Sequence, residues 1–181
     1  MITIYYAHPR PRHSIANRVL IDAVRDLPGV EVRTLFELYP DFSIDVTAEQ
    51  RALAATRLVV WQHPVYWYGV PSMLKLWFDE VLAYGWAYGE GGTALEGKDC
   101  LWVATTGAGP DSYAAGGEHG HPFDAFVPPI RQTAVFCGMN WLDPLVVHAA
   151  HRTAPESLER IAAQYRERLA AYIEAASKKG G

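Results

Sequence analysis

Two hydrophobic rhythms alternate along the chain. Ile2 to Ala7 is a β-branched and aromatic run that stops at His8-Pro9, and beyond it Ile15, Val19, Leu20, Val24 and Leu27 recur at helical spacing. Pro28-Gly29 ends that helix, and Val30 to Leu35 alternates as a second strand, with Val30, Val32 and Thr34 set against Glu31, Arg33 and Leu35. Thr47-Ala48-Glu49-Gln50 has the spacing of a capping box in which Thr47 accepts from the helix start, opening a short helix to about Ala55. Leu58 to Gln62 is almost continuously apolar, as expected of a parallel strand buried on both faces. Pro71 then opens a helix to Leu82 whose Met73, Leu74, Leu76, Trp77, Phe78, Val81 and Leu82 leave little polar circumference, so it is expected to be buried twice or to form an interface. Leu101 to Thr105 reads as a fourth strand, Phe126 to Phe136 as a helix and Trp141 to Val147 as a fifth strand. Pro155 to Ala176 closes the chain as a long helix with Leu158, Ile161, Ala162, Tyr165, Leu169 and Tyr172 on one stripe. Such alternation predicts an α/β three-layer sandwich whose five-stranded parallel sheet is covered on both faces through right-handed crossovers. No repeat or linker divides it, so residues 1–176 are expected to form one domain and residues 177–181 a frayed tail.

Composition narrows the function classes. The 181 residues are half apolar, enough for a substantial core, and the formal net charge of -4 offers no basic face for nucleic acid. Cys100 and Cys137 lie far apart with no CxxC, which suggests neither a zinc knuckle nor a disulfide framework and favours a reducing cytoplasm. The start of the chain lacks the features of a signal peptide, and no stretch approaches membrane-spanning length.

Open parallel α/β sheets bind ligands outside the carboxyl ends of their strands, and all seven histidines fall on that edge: His8, His13, His63, His119, His121, His148 and His151. Glycine concentrates between Gly85 and Gly120, around the fourth strand, where loops must turn tightly or approach a ligand closely. Tyr66-Trp67-Tyr68 occupies the loop after the third strand, where three consecutive aromatics cannot all point inward, and a flat aromatic ligand is the economical explanation. The first loop, His8-Pro9-Arg10-Pro11-Arg12-His13-Ser14, ends on a residue able to cap the following helix, whose N-terminus is a ready anion site; a plain N-cap is the alternative. GxGxxG, GxxxxGK[ST] and GxSxG are all absent. The pairs His119/His121 and His148/His151 have usable metal spacing but no carboxylate placed by a motif, so no metal is expected.

Five spaced segments carry a resemblance. The His8-Pro9 turn with Ser14 and Asn17, Gln62-His63-Pro64-Val65-Tyr66-Trp67-Tyr68, Pro71-Ser72-Met73-Leu74-Lys75-Leu76-Trp77-Phe78-Asp79, Gly85-Trp86-Ala87-Tyr88-Gly89 and Thr105-Thr106-Gly107 resemble flavodoxin-like NAD(P)H quinone oxidoreductases. The likeness runs from about Met1 to Tyr172. It looks closest to the bacterial branch that serves as ancillary subunit of the glutathione-regulated potassium-efflux system, and the diaphorase-type reductases are more distantly similar.

The resemblance implies a flavodoxin-like fold and a cytoplasmic homodimer using FMN, in preference to FAD, to carry a hydride from NAD(P)H to a quinone. It implies that His8 and Ser14, Ile15, Ala16 and Asn17 hold the flavin phosphate and ribityl chain. Val65, Tyr66, Trp67 and Tyr68 would line the isoalloxazine ring, and Thr105, Thr106, Gly107 and Ala108 would contact it through backbone and hydroxyl groups. Tyr113 and His119 match the six-residue spacing of a tyrosine and histidine that stabilise charge on the reduced ring in the diaphorase branch, with His121 a competitor for the histidine role. Ala108 stands where the family often has a second glycine, so a positive φ there would require a different loop. Other readings are a regulatory subunit on the cytoplasmic face of a potassium-efflux antiporter with secondary redox activity, a flavin-free binding domain, and a reductase of nitro or azo compounds.

Overall fold

The computed structural model describes residues 1–178. Its strands are β1 (Ile2–Tyr6), β2 (Val30–Thr34), β3 (Leu58–Pro64), β4 (Asp99–Thr105), β5 (Asn140–Trp141) and β6 (Leu145–Val147). The helices are α1 (Ile15–Val24), α2 (Leu35–Leu38), α3 (Val46–Ala55), α4 (Ser72–Val81), α5 (Pro128–Phe136) and α6 (Pro155–Lys178). All strand pairs are parallel, in the order β2-β1-β3-β4-β5, with β6 also on β4. β5 and β6 take successive stretches of the same β4 edge: Asn140 and Trp141 pair with Asp99 and Cys100, and Leu145 to Val147 with Val103 to Thr105. The expected fifth strand is thus one strand interrupted at Asp143-Pro144, because proline has no N–H to donate to the ladder.

Side-chain alternation splits the core into two layers. Ile2, Ile4 and Tyr6 of β1 join Leu58 and Val60 of β3 under α1 and α6, where Leu20, Ile21, Val24, Ala162, Tyr165 and Leu169 cover them. Tyr5, Val59, Trp61, Trp102 and Ala104 face the other way, under Leu53, Met73, Leu74, Trp77, Val81, Ile130 and Ala134 of α3, α4 and α5. β3, fully buried along its length, is the central strand.

Several boundaries differ from the sequence expectation for local reasons. Leu35 leaves β2 and opens the one-turn α2, burying its side chain. Asp45, not Thr47, caps α3, its carboxylate accepting from the Ala48 N–H at 2.9 Å, and Thr47 falls inside the first turn. Pro71 is the N-cap of α4 rather than its first helical residue. That helix is also amphipathic rather than apolar all round: Ser72, Lys75, Asp79 and Glu80 are exposed, and Lys75 pairs with Asp79 one turn on. The expected helix from Phe126 is a 3₁₀ turn (Phe123–Phe126) followed by α5. Helix α6 carries through Lys178, so residues 177 and 178 of the expected tail are helical, and residues 179–181 lie outside the described residues.

One buried polar hub holds the α3/α4 face. The Glu49 carboxylate is fully buried and accepts from Arg33 Nε at 3.1 Å, from Trp77 Nε1 at 3.0 Å and from the Tyr39 hydroxyl. Each of its oxygens thus has a donor, the condition under which a buried charge is tolerated.

Candidate functional site

The carboxyl ends of β1, β3, β4 and β6 open into two clefts that share Val65 and Gly107. The first, about 380 Å³, is lined by His8, His13, Ser14, Ile15, Ala16, Asn17, Pro64, Val65, Tyr66, Thr105, Thr106, Gly107, Ala150 and His151. The second, about 260 Å³, is lined by Val65, Trp67, Tyr68, Gly107, Ala108, Tyr113 and His119. Every site residue expected from the sequence lines one or both.

The first cleft is built on the start of α1. Ser14 is the N-cap, but its hydroxyl caps nothing; it accepts from Asn17 Nδ2 at 3.3 Å. Asn17 Nδ2 also donates to Thr105 Oγ1 at 2.9 Å, and the Asn17 carbonyl accepts from the buried Gln62 Nε2 at 3.1 Å. The first turn of α1 is thereby pinned to β3 and β4, leaving its free N–H groups at the cleft. Asn17 Oδ1, on a side chain only 2% exposed, has no donor among the described residues. A buried acceptor without a partner costs free energy until a ligand hydroxyl or N–H reaches it. His8 accepts the Arg10 N–H on Nδ1 at 3.0 Å, which puts its own proton on Nε2, and burial lowers its pKa.

The second cleft is aromatic. Tyr66 and Gly69 exchange both backbone hydrogen bonds, at 3.1 and 3.0 Å, so Trp67 and Tyr68 are the central residues of a tight turn. Both have positive φ, 47° and 63°, as a type I′ turn requires and as bulky side chains rarely adopt. Trp67 is 91% exposed, while Tyr68 stacks on Phe126 at 4.9 Å and its hydroxyl lies 3.3 Å from His119 Nδ1. Tyr113 is flanked by two imidazoles, stacked with His119 at 4.4 Å and tilted against His148 at 5.4 Å. Burial raises the Tyr113 pKa, with the Thr106 hydroxyl opposing it. Gly117 makes the return of this loop possible: a Cβ there would stand 2.5 Å from the carbonyl oxygens of Asp111 and Ser112, and the His119 N–H closes back on Ser112. Neither Gly107 nor Ala108 has positive φ, so the alanine fits the loop without strain.

The seven histidines divide by role. His8, His13 and His151 line the first cleft and His119 the second, while His121 is exposed and lines neither. His148 packs behind Tyr113 with its Nδ1 3.1 Å from Thr106 Oγ1. His63 departs from the edge set altogether. It lies within β3, fully buried, accepting from Trp102 Nε1 at 2.7 Å on Nε2 while Nδ1 faces the Pro64 carbonyl at 2.9 Å, and burial pushes its pKa down to about 4. It is a neutral core residue whose two ring nitrogens are both satisfied. Sequence reasoning places His13 and His151 on the ligand edge without a role in the site, and it names neither Pro64 nor Ala150 as a site residue. The rule that favours loops at the carboxyl edge applies equally to the loop after β6 and points to Ala150 and His151.

Comparison with known proteins agrees with this architecture. The family model described as flavodoxin-like fold matches residues 1–173. The glutathione-regulated potassium-efflux system ancillary protein KefF of Citrobacter koseri is 53% identical over 175 residues, 97% of this chain and 98% of that protein. The crystal structure of general stress protein 14 from Treponema denticola, in complex with FMN, superposes with a TM-score of 0.88 at 36% identity, covering 94% of this chain and 98% of the other. An NADPH-quinone reductase from P. pentosaceus superposes with a TM-score of 0.84 at 26% identity, covering 93% and 96%. With the family match spanning nearly its whole length, the chain belongs to the flavodoxin-like fold family.

Proposed function

We propose that this protein is an FMN-dependent NAD(P)H:quinone oxidoreductase. The observation that carries the reading is the pair of contiguous clefts, one at a helix N-terminus with an orphaned buried acceptor, the other walled by aromatic rings. A phosphorylated flavin has the matching parts in the matching order: an anion, a polyol chain whose hydroxyls suit Asn17 Oδ1, and a flat ring. The likeness to an FMN-bound structure and to an NADPH-quinone reductase supports it.

In this reading the start of α1 and His8 hold the phosphate, Asn17 and Thr105 the ribityl chain, and Val65 to Tyr68 with Thr106 to Ala108 the ring. Bound FMN supplies the two-electron hydride chemistry between NAD(P)H and the acceptor. The protein positions both partners and excludes water around them. Tyr113 and His119 line the ring end and offer donors to negative charge that develops there, and His119 Nε2, buried without a partner, is the nitrogen free to do so.

The test is an anaerobic visible spectrum of FMN-reconstituted protein, before and after NADPH and then after a small quinone. Bleaching by NADPH and recovery with quinone is expected; flavin that NADPH cannot reduce sinks the enzyme reading. Tyr113→Phe and His119→Ala should slow the half-reactions with flavin fully bound, and unchanged rates would remove both residues from the mechanism.

A second reading, an ancillary subunit at the cytoplasmic face of a potassium-efflux antiporter, is favoured by the identity to KefF. No helix among the described residues is long and apolar enough to cross a membrane, so attachment would be peripheral. Co-purification with the antiporter tests it. The exposed Tyr84, Val135 and Phe136, beside a groove lined by Phe78, Leu82 and Tyr88, supply an apolar face for a homodimer, which light scattering of the purified protein would detect.

A further inference from the structure

Among the described residues, imidazoles are the basic side chains that line the first cleft. His8, His13 and His151 line it, and among the described residues no lysine, arginine, aspartate or glutamate does. His8 and His13 come from the loop after β1, and His151 from the loop after β6, which the Ala149 and Ala150 N–H groups fasten to the Ala108 and Thr106 carbonyls. The surrounding charges lie outside the lining. On the first loop Arg10 and Arg12 are exposed, and Arg12 pairs with Glu37 of α2 at 3.5 Å. On α1 Arg18 and Asp22 are exposed, as is Arg152 beyond His151, while His148 is held behind Thr106. Two phenols also lie close, Tyr66 at the cleft and Tyr6 beneath it, and burial raises the Tyr6 pKa to about 12.

A helix N-terminus supplies about half a positive charge, and a phosphate monoester above pH 7 carries close to two negative ones. The neutral His8, with its proton on Nε2, donates a hydrogen bond without supplying a charge. Opposite charge within about 4–6 Å raises the proton affinity of an imidazole, so the least costly source of the missing positive charge is a proton from solvent. Resting on the flavin reading above, we propose that this subsite binds a phosphate monoester dianion together with a proton captured by its histidines, so that loading of phosphorylated flavin is pH-linked and loading of unphosphorylated flavin is not. The orphaned Asn17 Oδ1 beside the same turn marks the cleft as a place where a ligand, rather than the chain itself, completes the hydrogen bonding.

Calorimetric titration of FMN and of riboflavin into apoprotein, at pH 7.5 in two buffers of different ionisation enthalpy, counts the protons taken up. The phosphate of FMN is already a dianion at this pH and contributes no proton of its own. At least about half a proton per FMN and none per riboflavin is expected, with FMN affinity falling about three- to tenfold from pH 7.5 to 8.5. The double variant His13→Gln/His151→Gln, at two exposed positions, should lower the proton count for FMN and leave riboflavin affinity within about twofold. FMN that binds with buffer-independent heat and the same affinity at both pH values overturns the proposal while leaving the flavin site intact. Riboflavin that binds as tightly as FMN refutes the phosphate subsite, and protein that takes up neither refutes the flavin reading on which the proposal stands.

Discussion

His63 makes the stability of the fold depend on pH in a way that can be worked from the structure. Its ring is fully buried, and burial lowers its pKa from the usual 6.5 to about 4. As pH falls below about 6.5 the unfolded chain takes up a proton at this position and the folded chain does not, so proton binding favours unfolding until the folded pKa is reached. The stabilisation is therefore complete above pH 6.5 and lost as pH falls toward 4. Each pH unit between the two values is worth about 1.4 kcal/mol, giving about 3 kcal/mol over the window and about 2 between pH 6.5 and 5. That is a sizeable part of the roughly 5–15 kcal/mol that holds a domain together. His63→Gln removes the titration while its amide retains an N–H for the Pro64 carbonyl and an oxygen for the Trp102 N–H, the two contacts seen here. His8 and His148, whose pKa values burial also lowers, contribute with the same sign in both proteins and cancel in the difference. Urea unfolding at pH 7, 6.5, 6, 5.5 and 5 should show wild type losing its advantage over the variant by about 2 kcal/mol across the acid window. Parallel curves for the two proteins would refute the argument, because His63 would then titrate alike in the folded and unfolded chains.

Glu49→Gln places an amide N–H₂ among the donors of Arg33, Tyr39 and Trp77 and leaves Arg33 only the part-exposed Glu31 as counter-charge; a loss of about 3 kcal/mol is expected, seen as a drop in Tm of roughly 6–12 °C. Asn17→Ala removes the bonds to Ser14 and Thr105 and the orphaned acceptor; affinity for FMN and for riboflavin should both fall about tenfold or more by flavin fluorescence quenching, a loss of about 1.4 kcal/mol or more. Trp67→Asn with Tyr68→Gly gives the turn the residues its positive φ values favour; unfolding free energy should hold or rise by about 1 kcal/mol while FMN binding weakens, and a marked destabilisation would show that the aromatics serve the fold.

The fold was legible because each element buries a face whose period the sequence displays. β3 is buried on both faces and reads as an unbroken apolar run, and the stripe from Ile161 to Leu169 faces the sheet from α6. The errors come where a local bond overrides a pattern. Asp45 outcompetes Thr47 because its carboxylate reaches the Ala48 N–H, and Pro144 splits a strand that hydropathy alone draws whole. His63 was misplaced because one-dimensional reading cannot see Trp102, which lies opposite Trp61 on the neighbouring β4, donate to it. At the site, the loops were located by the topological rule, yet the union of Asn17 with Thr105, 88 positions apart, exists only in three dimensions.

Backbone strain gives an independent view of where this protein carries function. Among the described residues, the non-glycine residues with positive φ are Phe42, Trp67, Tyr68 and Ala149. Trp67 and Tyr68 form the wall of the second cleft, and Ala149 precedes Ala150 and His151, which line the first. Left-handed backbone costs an L-residue about 1–2 kcal/mol, a cost that all three of these positions bear. The fold does not need the bulk, since Trp67 is almost fully exposed and packs little of the core. Each of these three instead sits in a loop at the edge where β1, β3, β4 and β6 end. Three of the four strained positions among the described residues thus gather at the rim of the two clefts, as expected of loops shaped for a ligand rather than for packing, and only Phe42 lies elsewhere.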